Sequence, residues 1–309
     1  MLTRNHEPYL EQAITSVRQQ SYPHWQLLIG EDGSSDGTAA IARAAAADDP
    51  DRIRLFSSPD GALGFHRNFQ RLLEAAITPY VAFLEGDDWW CDTGKLASQI
   101  ELLDACPDLA FCGGRTQVLD QRPRSSRTEI QQEIGPERGR SRLSIEELIS
   151  DYSFHFSSIV MRRNCVRLPA WIYQQYCLDR PLYLLAAMQG DAGIVNRVVS
   201  VYRLQQGGVW APLNPLEKSK RSIALFNSLC RHFPYKYKRR FRLTLSHVLW
   251  SYLALALEAR QSRLALQILI AAVKAAPVSR LIVEPKLTAG ALRRIASIAC
   301  AGILLPSQS

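Results

Sequence analysis

The sequence is short of several things that would each point to a class of protein. No apolar run approaches the ~18 residues that a bilayer-spanning helix requires. The opening residues Met1-Leu2-Thr3-Arg4-Asn5-His6-Glu7 lack the basic-then-apolar layout of a secretory leader. No GxGxxG fingerprint follows a strand-like run, which disfavours a dinucleotide-dependent dehydrogenase. Seven cysteines are present, but none has CxxC or Cys/His ligand spacing, so a structural zinc is not expected. An odd, scattered set in apolar surroundings reads as buried free thiols in a reducing compartment. A soluble intracellular protein is therefore expected.

Charge of one sign is scarce in each part of the chain. Residues 1–214 carry 21 Lys+Arg against 26 Asp+Glu, a net of −5, and Lys95 is the only lysine among them. Residues 215–309 carry 16 cations against three acids, a net of +13. An acidic body with a basic tail follows, and the tail sets the overall charge of +8. With 309 residues and 47% hydrophobic content, the chain can bury one large core or two modest ones.

Residues 1–211 alternate helical periodicity with short apolar runs, the pattern of an α/β layer fold. Helices are expected at 9–20, 36–47, 67–76 and 95–105, and strands at 25–30, 52–57, 80–84 and 109–112. Ser34, Ser35 or Asp36 is the expected cap of the second helix. The polar, arginine-bearing stretch 121–142 reads as a mobile loop. From residue 212 the pattern is helical throughout: 244–259 and 262–276 form an amphipathic pair that Pro277 stops, and a third helix is expected over 287–305.

Two acidic clusters stand where strands end, and open α/β sheets bind ligands at the carboxyl ends of their strands. Glu31-Asp32-Gly33-Ser34-Ser35-Asp36-Gly37-Thr38 carries three acids at one strand-to-helix turn, where a cap needs one. Glu85-Gly86-Asp87-Asp88-Trp89-Trp90 places three carboxylates within four residues. Such a group repels itself when dry unless a cation neutralises it, and hard oxygen donors favour Mg²⁺ or Mn²⁺. The bland alternatives are a capped turn for the first cluster and an exposed acidic turn for the second.

These residues carry a resemblance. Asn5-His6-Glu7-Pro8-Tyr9-Leu10, Ala13-Ile14, Ser16-Val17-Arg18-Gln19-Gln20-Ser21-Tyr22-Pro23-His24-Trp25 and Phe83-Leu84-Glu85-Gly86-Asp87-Asp88-Trp89-Trp90 resemble, in order, the motifs of bacterial family 2 glycosyltransferases. The likeness continues through Phe154-His155-Phe156-Ser157-Ser158, Leu178-Asp179-Arg180 and Val201-Tyr202-Arg203. It implies a GT-A fold, a Rossmann-like mixed sheet flanked by helices, over 1–211, followed by a basic helical region over 212–309. It also implies an inverting, metal-dependent transfer of a sugar from a nucleotide-diphospho donor, a UDP-sugar, to an acceptor hydroxyl. Carried over residue by residue, Thr3, Asn5, Glu31, Asp32, Arg67, Glu85 and Asp88 would bind the donor. Asp87 would hold Mn²⁺ or Mg²⁺, and Asp179 would be the general base. His155 and Trp210, the latter in the segment Gly207-Gly208-Val209-Trp210, would lie on the acceptor side. A salt bridge for Asp179, solvation for Arg67 and core hydrogen bonding for His155 are the plain alternatives.

The chain departs from that family's pattern twice. The family opens on an apolar strand of which only Met1-Leu2-Thr3 is present, so the first strand is expected to be missing and the start to lie upstream. The family's Tyr-Arg-x-His reads Tyr202-Arg203-Leu204-Gln205, an amide where an imidazole stands.

In the tail, Pro234-Tyr235-Lys236-Tyr237-Lys238-Arg239-Arg240-Phe241-Arg242 interleaves cations with aromatics. It reads as a solvated helix face or as a peripheral contact with an anionic membrane. The expected role is synthesis of surface polysaccharide or glycolipid on a saccharide or lipid-linked acceptor. It would take place in the cytoplasm or at the inner face of the plasma membrane, without nucleic acid. Two rival readings fit the same residues: an inactive sugar-nucleotide-binding module, and a membrane adaptor working through the tail.

Overall fold

Leu10, Ala13, Ile14 and Val17 recur at helical spacing and are all buried, which fixes one face of helix α1 (Leu10–Arg18) against the core. The computed structural model describes residues 1–58, 60–121, 130–150, 154–205, 207 and 213–275. Two compact units emerge. One comprises Met1–Leu148, Tyr152–Tyr173 and Cys177–Gln206; the other comprises Ile149–Asp151, Gln174–Tyr176 and Gly207–Ser309.

The first unit is a mixed α/β structure. Strands β1 (Leu2–Thr3), β2 (Leu27–Glu31) and β3 (Ile53–Phe56) form a parallel sheet in that order, with helix α2 (Thr38–Asp48) between the last two. Helix α3 (Phe65–Ala75) leads to β4 (Tyr80–Ala82), and α4 (Lys95–Ala105) leads to β5 (Leu109–Asp120). Then come β6 (Ile130–Ile134), β7 (Arg142–Leu143), α5 (Ile145–Ser150), β8 (Val160–Arg162), α6 (Asp179–Ala187) and β9 (Asp191–Leu204). The second sheet has the order β4-β8-β5-β9-β7, with β6 pairing β5. A parallel bridge from Leu2 to Glu85 joins the two sheets just past β4.

Several expectations are corrected here. The first strand is short rather than missing: β1 pairs with Gly30 and Glu31 of β2 and, through Leu2, with Leu84 and Gly86. The Met1 amino group donates to Leu28 O at 2.7 Å, and beside it lies a largely apolar cleft of about 370 Å³, lined among others by Leu27, Leu28, Phe69, Leu72, Val81 and Leu84. Part of the expected loop 121–142 is strand, because Ile130–Ile134 runs antiparallel to β5; residues 122–129 lie outside the described residues. Strand β5 continues eight residues past its expected end at 112, since Gly113 and Gly114 permit the register shifts that keep it beside β9. The residue preceding α2 is Gly37, although Asp36 Oδ1 does accept from the Thr38 N–H at 3.0 Å. Cys112 and Cys165 are buried as expected, whereas Cys91 is exposed.

The second unit is helical where described. Helix α7 (Pro215–His232) is capped by Asn214, whose side chain accepts from the Glu217 N–H. Helices α8 (Lys238–Glu258) and α9 (Ser262–Ala275) form the expected pair, with Leu253, Ala256, Leu257, Ala265, Ile268 and Leu269 in one buried cluster. Arg260 takes the left-handed conformation (φ 55°) at the turn between them. The expected third helix lies outside the described residues. No helix of the described residues is long and apolar enough to cross a membrane.

Candidate functional site

At the carboxyl ends of β1 and β2 the chain makes two loops that lock together. Asp32 N–H donates to Thr3 O, and Asn5, in the left-handed region at φ 54°, accepts from the Ser35 N–H at 2.9 Å. His6 N–H donates to Thr38 Oγ1 and Gly37 N–H to Glu7. Glu31 Oε1 accepts from the Ser34 N–H at 2.6 Å. Asp32 is buried, and its two oxygens accept from Leu63 N–H at 2.7 Å and Gly64 N–H at 3.1 Å. It therefore fixes the loop before α3. A side chain at Gly33 would stand 2.9 Å from Ala62 N, so only glycine leaves room for that approach.

Gly86 connects this region to the second acidic cluster. A Cβ there would lie 2.5 Å from Thr3 Oγ1 and 2.9 Å from His6 Nδ1, so the turn after β4 rests directly on the loop after β1. Asp88 is 1% exposed and fully engaged: Oδ1 accepts from the Arg203 N–H and Oδ2 from Ser157 Oγ at 2.6 Å. Asp87 Oδ2 accepts from Gln205 Nε2 at 2.7 Å and lies 3.8 Å from His6 Nε2. Arg203 and Gln205 stand two apart near the end of β9, so both reach the turn from one side of the strand.

The carboxylates crowd one another. Burial, followed by the charges of Asp87, Asp88 and Asp179, holds Glu85 well above the usual carboxylate range, and burial with Asp87 does the same to Asp88. Burial pushes the Tyr202 phenol up, and the charges of Glu85, Asp88, Asp87 and Asp179 all add to that shift. Four acidic side chains thus act on one ring. The same ring stacks on His155 at 4.3 Å between centroids, and burial lowers His155 to about 4, which leaves its imidazole neutral. Burial also lowers His6, against the opposing pull of Asp87.

A cation suits this arrangement. Glu85, Asp88 and His155 offer donor atoms that all lie within 4.8 Å of one another. Two carboxylates and an imidazole form a hard-to-borderline donor set, and the uncompensated charge behind the raised carboxylates is what a dication would relieve. Asp87, expected to be the metal ligand, is outside this group of three; Glu85 and Asp88, expected on the donor, are in it, with His155.

The other expected residues fall as follows. Thr3, Asn5, Glu31 and Asp32 gather at the locked loops, and Asp179 begins α6 close enough for its charge to bear on Glu85, His155 and Tyr202. Arg67 is exposed on α3. One turn later Arg71 donates to Glu31 O at 2.9 Å, Phe56 O at 2.7 Å and Ser57 O at 3.0 Å, and so ties the ends of β2 and β3. Helical spacing from Arg67 was the available signal for it. Trp210 lies outside the described residues. Arg203 was overlooked as a site residue: its Nε donates to Asp87 O, its other nitrogens reach Gln121 and Gln12, and Tyr9 and Trp89 flank it at 4.4 and 4.8 Å.

Comparison with known proteins agrees with this geometry. Over 213 residues the chain is 28% identical to the uncharacterized protein Rv1520 of Mycobacterium tuberculosis, covering 68% of this chain and 59% of that one. The chain therefore spans about three-fifths of the length of these mycobacterial relatives. It is 35% identical over 120 residues to the putative teichuronic acid biosynthesis glycosyltransferase TuaG of Bacillus subtilis, covering 38% of this chain and 46% of that protein. Among solved structures, TarS 1-349 of S. aureus with UDP-GlcNAc superposes with a TM-score of 0.59 at 13% identity, over 96% of this chain and 87% of that one. The mannosyltransferase PcManGT of Pyrobaculum calidifontis, with GDP-Man and Mn²⁺, gives 0.57 at 18% identity, over 98% and 85%. Both likenesses show the GT-A-like fold. The family model for glycosyl transferase family 2 matches residues 1–166, more than half of the sequence, and the chain belongs to that family.

Proposed function

We propose that the protein moves a sugar from a nucleotide-diphospho donor, a UDP-sugar, to a hydroxyl of a saccharide or lipid-linked acceptor, with inversion at the anomeric carbon. The observation that carries this reading is the meeting of Glu85, Asp88 and His155, their donor atoms within 4.8 Å of one another, in the turn that rests on the loop after β1. Thr3, Asn5, Glu31 and Asp32 form the nucleoside wall; Asp32 shapes it through the loop at Leu63 and Gly64. Asp179 takes the acceptor proton as the hydroxyl oxygen attacks, and a single displacement without an enzyme nucleophile inverts the centre. Glu85, Asp88 and His155, with Asp87 beside them, would hold Mn²⁺ or Mg²⁺, which supplies Lewis-acid stabilisation of the departing diphosphate. His155, kept neutral, offers a nitrogen rather than a positive charge there.

Relatives support the donor and acceptor classes. The names and titles above include a UDP-GlcNAc complex, a GDP-Man complex with Mn²⁺ and teichuronic acid biosynthesis. A further relative, 33% identical over 86 residues (28% of each chain), is a beta-1,3-glucosyltransferase of Campylobacter jejuni whose name specifies a PP-undecaprenol substrate. Synthesis of a cell-surface polymer in the cytoplasm, at the inner face of the plasma membrane, fits these chemistries.

The test is a thermal-shift panel of UDP-, GDP-, dTDP- and CMP-sugars with and without Mn²⁺, followed by transfer assays with the stabilising donor. Asp179→Asn should leave the donor-induced shift intact while transfer falls by roughly 10²- to 10⁴-fold. Full transfer by that variant refutes the base assignment. Gln205, an amide where the family's imidazole stands, favours one second reading, a module that binds the donor without turnover, which a donor shift with no transfer by the unaltered protein would support.

A further inference from the structure

The second unit carries a concentration of charge that the transfer reaction does not use. Residues 215–257 hold nine Lys or Arg and a single acid, Glu217, which is paired with Lys220 at 2.8 Å. Six of the nine lie at the corner where α7 ends, a short turn follows and α8 begins. Arg231 and His232 close α7, where cations suit the negative end of the helix dipole. The first turns of α8 are the reverse case. Lys238, Arg239 and Arg240 open the helix and Arg242 follows, at the end where the dipole disfavours positive charge, and the first turn contains no acid. Among the described residues no salt bridge involves Arg239, Arg240 or Arg242. Positive charge at that end costs the helix stability.

The side chains are sorted by face. Phe233, Tyr237 and Phe241 are buried, with Phe233 and Phe241 in edge contact at 5.4 Å, so the corner has an apolar floor. Arg239, Arg240 and Arg242 are exposed; Arg239 and Arg240 lie away from the face that Phe241, Leu245 and Leu249 bury, and Arg242 stands at its edge. Between the two buried aromatics Tyr235 points the other way and is 85% exposed, with Lys238 Nζ 5.7 Å from its ring. A protruding tyrosine amid exposed arginines matches the headgroup region of a bilayer, where a ring with one polar end sits at the apolar–polar boundary and basic side chains meet anionic headgroups.

We propose that the α7–α8 corner, centred on Tyr235, Lys236, Arg239, Arg240 and Arg242, docks the protein onto the surface of a membrane rich in anionic phospholipid. The contact is peripheral, reversible and sensitive to salt. Nucleic acid is the competing polyanion; one exposed ring, Tyr235, among the cations suits the headgroup boundary of a lipid surface.

The experiment is co-sedimentation of the full chain with phosphatidylcholine vesicles and with vesicles in which about a third of the lipid is phosphatidylglycerol. Binding should require phosphatidylglycerol and be lost as salt rises to molar concentration. The triple variant Lys236→Gln/Arg239→Gln/Arg240→Gln should partition on the order of a hundredfold more weakly, roughly fivefold for each cation removed. Its thermal midpoint and its turnover on a soluble acceptor should stay at the level of the unaltered protein, which separates lost docking from lost folding. Tyr235→Ser should weaken binding by a smaller factor that added salt does not change. Equal sedimentation with both vesicle types, or undiminished binding by the triple variant, overturns the proposal. Tighter binding to a single- or double-stranded oligonucleotide than to the anionic vesicles at the same ionic strength also overturns it.

Discussion

The two units of this chain differ in how far apart along the sequence their decisive residues lie. In the helical unit, buried positions repeat at helical spacing: Leu253, Ala256 and Leu257 on α8 meet Ala265, Ile268 and Leu269 a few turns later. In the α/β unit, Arg203 grips the backbone of Asp87, the side chain of Gln121 and that of Gln12, which is 191 positions away. The first arrangement stores stability in local repetition; the second stores chemistry in long-range coincidence. Charge follows the same division, with a net of −5 through residue 214 and +13 beyond it.

The sharpest way to separate the units is to disable one and watch the other. Asp88→Asn should lower transfer on the order of 10³-fold, about 4 kcal/mol in the barrier, while vesicle binding by the basic corner is untouched. Kinetics and co-sedimentation on the same preparation check both halves of that statement. Conversely, Leu253→Ala removes a fully buried side chain from the α8–α9 cluster and should destabilise the helical unit by about 3 kcal/mol, read by urea denaturation, with the donor-induced thermal shift preserved. Arg203→Ala leaves Asp87 O, Gln12 and Gln121 without their donor and should cost the α/β unit about 2 kcal/mol. Arg203→Lys should recover only part of that loss, since an ammonium cannot fill a planar slot between Tyr9 and Trp89.

A pH series sharpens the contrast further. Lys95 is fully buried, donates to Gln99 Oε1 at 2.7 Å and lies over the Trp90 ring at 4.4 Å. Burial lowers its pKa to about 7 from an ordinary 10.5. Between those values the unfolded chain binds a proton that the folded chain does not. Stability therefore rises with pH across the window from about 7 to 10.5, by at most about 1.4 kcal/mol per pH unit. Below it both states are protonated and the slope vanishes. Lys95→Met should abolish this slope, measured by denaturant titration at several pH values. The smallest change belongs to the surface of the helical unit: Lys220→Ala breaks an exposed pair with Glu217 and should shift stability by less than about 0.5 kcal/mol.

Local pattern carried much of the α/β unit into view from the sequence. The apolar stripe of α1, the compact run of β2 and the two acidic turns could all be read because each is a short-range signal. Residues that act across the fold could not. Arg67 was marked by its place near a helix start, yet Arg71, one turn on, reaches Glu31, Phe56 and Ser57. His155 stands in the metal-competent group because β8, β9 and the turn after β4 bring Asp88 and Tyr202 to it, and no spacing in the chain encodes that meeting. Strand β6 was hidden in a polar stretch because Gln131, Gln132 and Glu133 give no apolar alternation. The expectation of a missing first strand rests on the resemblance, whose family opens on a longer apolar strand; Leu2 still pairs on both sides because its backbone groups bridge β2 to Leu84 and Gly86.

The cleft beside Leu27 and Leu28 has a chemical consequence. Its apolar lining is only partly covered, so a small apolar molecule that fits there should stabilise the α/β unit selectively. Benzene should raise the thermal midpoint of that unit and leave the helical signal where it was.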